Sequence, residues 1–291
     1  MSIGQSERAT QNRVIALFRH ELGYRYLGDW RDRDGNSNIE EGLLTSYLSK
    51  NGYNQAQIAQ ALYKLHTEAN NHSRDLYHNN KAVYSLLRYG VPVKVEAGVA
   101  TETVHLINWT HPEKNDFAIA EEVTLHGQHE RRPDLVLYVN GIALGVLELK
   151  NSRAAIGNGI RQNLSNQKTE FNAWFFSTVQ FIFAGNDSEG LQYGTIGTEE
   201  KYFLKWKEDE GDNTRFKLDK YLLKICAKDR LIELMHDFVL FDGGTKKLPR
   251  VHQYFGIKAA QSAQSHHRYR NARAASSGIP RAAAKASSWC Y

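Results

Sequence analysis

Asp134, Glu148 and Lys150 fall within the stretch RRPDLVLYVNGIALGVLELKN, residues 131–151, which is otherwise apolar enough for a buried β-hairpin. Carboxylates and an ammonium are costly in apolar strands unless they pair or hold a metal. Two carboxylates a few ångströms apart repel and raise each other's pKa unless a divalent cation neutralises them. Mg²⁺ suits such a pair, because it takes oxygen ligands and usually keeps waters and substrate phosphates in its shell. Glu148 and Lys150, two apart, let one residue ligate while the other reaches an attacking water or the scissile phosphate. The chemistry that follows is metal-assisted phosphodiester hydrolysis. An isolated D…ExK pattern more often marks a solvated Lys–Glu pair at a strand end. Here Pro133, the Asn140-Gly141 turn signal and the apolar flanks weigh against that reading.

Whether the charges meet depends on the turn. A two-residue loop pairs Val139 with Ile142 and sends Asp134 and Glu148 to opposite faces, because strand side chains alternate with period two. A three-residue loop with Gly141 in the left-handed position pairs Tyr138 with Ile142 and puts Asp134, Glu148 and Lys150 on one face. The expectation is this bulged three-residue turn, with Leu135, Leu137, Val139, Ala143, Leu147 and Leu149 as the core face.

The surrounding elements are legible from periodicity. Ser6-Glu7 opens a helical pattern through Val14, Leu17, Phe18 and Leu22 that Gly23 ends, and further patterns cover about 39–50, 55–68 and 75–88. From Val91 the texture turns to strands, including VPVKVEAG, ETVHLINW and DFAIAEEVTLHG ahead of the hairpin. A helix at about 157–171, the strands STVQFIFAGN and LQYGTIG, and helices at about 216–225 and 228–238 follow. The order implies an α+β fold with helices around a central mixed, mostly antiparallel sheet. The expected division is 1–240 as one domain, mainly helical to 90, a sheet core at 91–205 and closing helices at 206–240. A linker at 241–264 and a disordered tail at 265–291 complete it.

Composition narrows the class. The 291 residues are 41% hydrophobic, ample for a core, and no run approaches the roughly 18 apolar residues of a membrane span. The N-terminal MSIGQSERATQ lacks a signal peptide's basic and apolar regions, so the expected compartment is the cytoplasm. Cys226 and Cys290 form no CxxC pattern and support neither a disulfide framework nor a zinc site. The net charge of +5 rests on Arg268, Arg270, Arg273, Arg281 and Lys285 in the acid-free tail; without those five, 32 basic residues face 32 acidic ones. Overall basicity is therefore no argument for nucleic-acid binding. His72 and His78 lack a second ligand at metal spacing, and His126 and His129 near Glu121 and Glu122 read as a strand-end loop before a metal cluster. Tyr77 and Tyr84, seven apart, read as one packing face of a helix.

The chain resembles the N-terminal part of the R (restriction and translocation) subunit of type I restriction enzymes, which carries a PD-(D/E)xK nuclease. The resemblance spans about 1–260 and rests on GYRYLGDW, LYHNNKAVYSLLRYGV, NDFAIAEEVTLHG, the hairpin stretch, GIRQNLSNQK, FFSTVQFIFAGN and KYFLKWKE in that order. It implies a restriction-endonuclease-like fold and an Mg²⁺-dependent DNA endonuclease working with methylation and specificity subunits, with no membrane partner. Asp134 and Glu148 match the metal-binding acids and Lys150 the catalytic lysine. Gln162 falls where the family has a glutamine on a helix beside the site; the tyrosine usual four residues on is here Asn166, leaving Gln167 as a substitute. Glu7 resembles an additional acid near the metal, although an acid at a helix start also serves the helix dipole. LPRVHQYFGIKAA matches the approach to the family's helicase-like ATPase, where Gln253 would help recognise the adenine of ATP, but no phosphate-binding Gly-Lys loop follows. The alternatives are a catalytically idle assembly or DNA-binding fragment and a stand-alone nuclease with the same core.

The tail NARAASSGIPRAAAKASSWCY reads as a disordered or weakly nucleic-acid-binding end. Back-translated with suitable permitted codons and read from the third base, it spells REGGIIWHTQGSGKSLVMVL, which contains a phosphate-binding GSGKS. The expectation is a frameshift between about 259 and 271 that truncates the chain before its motor.

Overall fold

The computed structural model describes residues 6–95, 98, 100–208, 211 and 214–276. The chain forms two compact units, Met1–Leu248 and Pro249–Tyr291.

The first unit begins with α1 (Glu7–His20), whose N-terminus is closed by the Ser6 hydroxyl accepting from the Ala9 N–H at 3.2 Å. It buries Val14, Leu17 and Phe18 and gives way at Gly23, in the left-handed region at φ +67°. A strand then appears inside the segment expected to be mainly helical: β1 (Arg25–Asp29). Five residues are too few to display a period, and only pairing with a distant partner makes this stretch a strand. Helices α2 (Glu41–Lys50), α3 (Gln55–Ala69) and α4 (Leu76–Tyr89) follow; Asn54 and Gln57 cap α3 reciprocally, and Asp75 caps α4.

Strands β2 (Val91–Val93) and β3 (Glu102–Val104) pair only with each other, as a ribbon apart from the main sheet. That sheet adds β4 (Phe117–Glu121), β5 (Leu135–Val139), β6 (Ile142–Leu149), β7 (Phe181–Asn186), β8 (Gly190–Gly194) and β9 (Leu204–Lys205) to β1. Its order is β1-β4-β5-β6-β7-β8-β9, with β1/β4 and β6/β7 parallel and the other pairs antiparallel, so the mixed α+β expectation holds. The parallel pair β6/β7 is joined through α5 (Ile156–Asn166), which ends five residues earlier than its apolar pattern suggested. Ile156 and Ile160 of α5 join Val136, Val146, Ile182, Phe175 and Phe176 in one buried cluster on that face of the sheet. On the strands beyond, α6 (Lys217–Ile225) is seated so closely that a Cβ on Gly185 would lie 2.4 Å from Leu218 Cδ1. α7 (Lys228–Asp237) and the hairpin β10 (Leu240–Asp242) and β11 (Thr245–Lys247) close the unit. Lys246 pins the hairpin: its buried Nζ donates to Asn80 Oδ1 at 2.8 Å and to Gln180 Oε1 at 2.6 Å, and burial holds its pKa well below that of an ordinary lysine.

In the second unit, α8 (Val251–Ser276) occupies positions read from sequence as linker and the start of the tail. Residues 277–291, including Cys290 and most of the out-of-frame reading, lie outside the described residues. Among the described residues no helix is long and apolar enough to cross a membrane.

Candidate active site

The central hairpin reaches the expected result by a different route. Val139 pairs with Ile142 and Tyr138 with Ala143, so the loop is the two-residue one, with Asn140 and Gly141 both left-handed at φ 54° and 84°. The register then slips: Leu137 pairs with Gly145 and Leu135 with Leu147, leaving Leu144 as an extra residue. The expected three-residue turn is thus replaced by a tight turn plus a bulge two residues into β6. Two contacts hold the tight turn. The buried Asn140 Nδ2 donates to Leu106 O at 2.9 Å and to Asn115 Oδ1 at 2.8 Å, while α2 sits so close that a Cβ on Gly141 would lie 2.8 Å from Glu40 O. The bulge in turn is pinned by Thr178 Oγ1, which donates to Ala143 O at 2.7 Å, and by Gln180 N–H, which donates to Leu144 O at 2.8 Å. Ala143 therefore shares its cluster with Val146, three residues on, and leaves the face expected for it.

Beyond the bulge, the Leu135–Leu147 pair makes Asp134 and Glu148 the next opposed positions, on one face as expected. The backbone N–H of Leu149 donates to Asp134 Oδ2 at 2.6 Å and fixes that carboxylate. Glu148 is fully buried, and neither of its carboxylate oxygens has a hydrogen-bond partner. Lys150 Nζ lies 3.9 Å from Glu148 Oε2 and 3.2 Å from Glu7 Oε1. Glu7 thus reaches the site from the first turn of α1, as the partner of the lysine.

The electrostatics follow from burial. Loss of water pushes the Asp134 carboxyl up to about 6, against the opposing pull of the Leu149 N–H and Lys150. Burial first, and then the neighbouring Asp134, raises Glu148 well above the carboxylate range. For Lys150 burial disfavours the ammonium, but Asp134, Glu148 and Glu7 together outweigh it and raise its pKa. The lysine stays charged while the paired acids resist ionisation, so the pocket favours a further positive charge. Glu148 supplies the clearest sign: with no donor on either oxygen and the Asp134 carboxyl beside it, this buried acid ionises only if a cation replaces its proton. Among the described residues no group of three or more His, Cys, Asp or Glu side chains stands in metal-holding geometry, so a cation here would rest on this pair of acids.

Helix α5 forms one wall. A Cβ on Gly159 would lie 3.4 Å from the Cβ atoms of Glu148 and Ala184 and 3.6 Å from Lys150 Cγ. Gly159→Ala should therefore change stability by less than about 1 kcal/mol. Gly159→Leu should displace Glu148 and Lys150 and lower cation affinity, as thermal unfolding with and without Mg²⁺ would register. Gln162, half-buried, lies three residues after Gly159 and so on the same helix face. Asn166 is buried with neither amide atom hydrogen-bonded. Gln167 is spent elsewhere, accepting from the Gly197 N–H at 2.9 Å and donating to Asn163 O at 3.1 Å. Gln253, in the second unit, accepts from the Arg250 N–H at 2.8 Å.

A group of residues not read as a site surrounds the Asp134 backbone. Gln11 Nε2 donates to Asp134 O at 3.3 Å, Glu121 Oε2 at 3.2 Å and Glu122 Oε1 at 3.1 Å. Glu121 also accepts from Arg8 Nη1 at 2.6 Å and from Tyr26 Oη at 2.5 Å. Glu122 lies 2.9 Å from Arg132 Nε and 3.6 Å from Arg31 Nη2. His126 and His129 take no part: one lies 3.7 Å from Glu130 and the other packs on Phe171.

Residues 4–201 match the family described as type I restriction enzyme R protein N terminus. A putative type I restriction enzyme MjaIXP endonuclease subunit of Methanocaldococcus jannaschii is 25% identical over 288 residues, 86% of this chain and 27% of that protein. The type I restriction enzyme HindI endonuclease subunit of Haemophilus influenzae is 27% identical over 203 residues, 64% of this chain and 19% of that protein. The chain thus spans about a quarter or less of the length of these relatives.

Proposed function

The chain belongs to the type I restriction enzyme R protein N-terminal family, and from that premise we propose that it is the Mg²⁺-dependent DNA endonuclease portion of a restriction subunit. The observation that carries the reading is Glu148, fully buried with both carboxylate oxygens unpartnered, opposite Asp134 and beside Lys150. Asp134 and Glu148 would hold the cation, with waters and phosphate oxygens completing its shell, as Mg²⁺ prefers. A bound cation would supply Lewis-acid polarisation of the scissile phosphate and a lowered pKa for water. The Leu149 N–H fixes the Asp134 carboxylate that would hold the cation. Lys150, held between Glu148 and Glu7, orients the attacking water or stabilises charge on the phosphorane. Gln162 would position DNA from the α5 face. In a complex with methylation subunits, a companion specificity subunit would choose the DNA, and an ATP-driven motor, to which Gln253 would contribute adenine recognition, would move it.

Calorimetric titration tests the core of this reading. The protein should bind Mg²⁺ or Mn²⁺, and Glu148→Gln, which keeps the shape of the side chain, should abolish that binding without unfolding the chain. Absence of any binding in the wild type would favour an idle assembly fragment. Cutting without ATP or companion subunits would favour a stand-alone nuclease.

A further inference from the structure

Glu122 follows β4 with φ 50°, and apart from Asn140 in the tight turn no other non-glycine residue among those described has positive φ. A left-handed conformation costs a residue with a Cβ about 1–2 kcal/mol, so it persists only where its surroundings impose it. Here the bend lets the Glu122 N–H donate to Asp134 O at 3.0 Å and the Val123 N–H donate to Pro133 O at 3.2 Å, which locks the chain entering the metal-site acid. It also turns the Glu122 carboxylate toward three guanidinium groups, Arg132 at 2.9 Å, Arg31 at 3.6 Å and Arg8 at 3.8 Å.

Arg8 bonds Glu121 in turn at 2.6 Å, while Arg31 and Arg132 share Glu122. Glu121 and Glu122 are largely buried, 6% and 13% exposed, and draw the arginines in, yet the side chains of Arg132, Arg31 and Arg8 are 42%, 46% and 49% exposed and still face water. Among the described residues Arg31 approaches acids only at 3.6 and 3.8 Å, beyond hydrogen-bond reach, so its planar fork of donors remains open. Arg132 uses Nε on Glu122, which leaves its two terminal nitrogens for another acceptor. Arg132, held through Nε with its tip open, and Arg31, with no acid inside hydrogen-bond reach of its tip among the described residues, suit bidentate recognition of phosphate, whereas the tip of Arg8 is engaged by Glu121 at 2.6 Å. Gln11 couples the group to the site, because the same amide contacts Glu122 and the Asp134 carbonyl.

We propose that Arg31 and Arg132, gathered on Glu122 and tied through Gln11 to the Asp134 backbone, form a clamp that grips DNA backbone phosphates beside the scissile bond. The proposal deepens the nuclease reading and rests on it for the identity of the polymer. The clamp reads no sequence, since phosphate contacts fix register and orientation only.

The test is binding of the full chain to a short fluorescent duplex in Mg²⁺-free buffer across a salt series. Arg31→Gln and Arg132→Gln should each weaken binding equally on unrelated sequences and lower the slope of log affinity against log salt by about 1. Arg132→Lys should retain the slope, and Lys81→Gln, at an exposed position of α4, should leave wild-type behaviour. Circular dichroism checks that each variant is folded. A folded variant carrying both Arg31→Gln and Arg132→Gln with unchanged slope and affinity overturns the clamp, as does a wild type that binds no duplex at low salt or a Lys81→Gln loss of equal size. Magnesium calorimetry on the same samples separates the two readings. Mg²⁺ binding with no arginine dependence of DNA affinity removes the clamp alone, whereas arginine-dependent DNA binding without Mg²⁺ binding removes the nuclease assignment.

Discussion

Asp134→Asn should stabilise the metal-free protein at pH 8 while abolishing its response to Mg²⁺ and its part in DNA cleavage. The sign follows from linkage. Burial raises the folded-state pKa of Asp134 to about 6 from the ordinary 3.8, so the folded protein holds this proton more tightly than the unfolded chain. The group favours folding most below about pH 4, and that contribution is lost as pH rises from about 4 to about 6. Above that window the buried charge costs roughly 3 kcal/mol, at about 1.4 kcal/mol per pKa unit. Asparagine removes the charge yet still offers an oxygen to the Leu149 N–H, so metal-free stability should rise at pH 8 by up to about that figure, in which the attraction to Lys150 is already set against burial. Magnesium should reverse the ranking: at 100 times its dissociation constant a ligand of the folded state adds about 2.7 kcal/mol, which only the wild type should gain. Thermal unfolding at pH 4 and pH 8, with and without Mg²⁺, reads all of this. A variant that is less stable than the wild type at pH 8 without metal, and still stabilised by Mg²⁺, would remove Asp134 from the site.

The site was legible in sequence to the extent that its chemistry is local. Asp134, Glu148 and Lys150 stand within seventeen residues of one another, and the period of a strand with the parity of a turn was enough to argue that they meet. The turn itself was misread because its geometry is decided from outside. Asn140 is clamped by Leu106 and Asn115, and the bulge at Leu144 is held by Thr178 and Gln180, none of them visible in the hairpin's own pattern. Long-range structure hid the rest. Arg8 meets Glu121 across 113 residues and Gln11 meets Asp134 across 123, and β1 becomes a strand only by lying parallel to β4. Glu121 and Glu122 drew notice through neighbouring histidines that turned out not to face them. The signal that could have singled them out was a short run of acids at a strand end, which is too common to separate a site from a solvated edge.

Lys150→Met should separate chemistry from metal binding, and so complement the Asp134 variant. Methionine keeps most of the apolar stem that packs against Gly159 and removes only the ammonium. Without that charge between Glu148 and Glu7, the acids repel each other more strongly, and affinity for a divalent cation should be retained or increased. Cleavage should fall about 10²–10³-fold, the usual loss when one donor aimed at developing negative charge is removed. Glu7→Gln should cost less, because it leaves the ammonium in place and frees only one side of it. Calorimetry with Mg²⁺ and cleavage of plasmid DNA by a complex reassembled with companion subunits provide the two readouts. A Lys150→Met protein that cuts at the wild-type rate would reduce the lysine to a structural counter-ion. One that no longer binds Mg²⁺ would instead make the ammonium part of what holds the acids in place, and the division of labour between Asp134–Glu148 and Lys150 would fail.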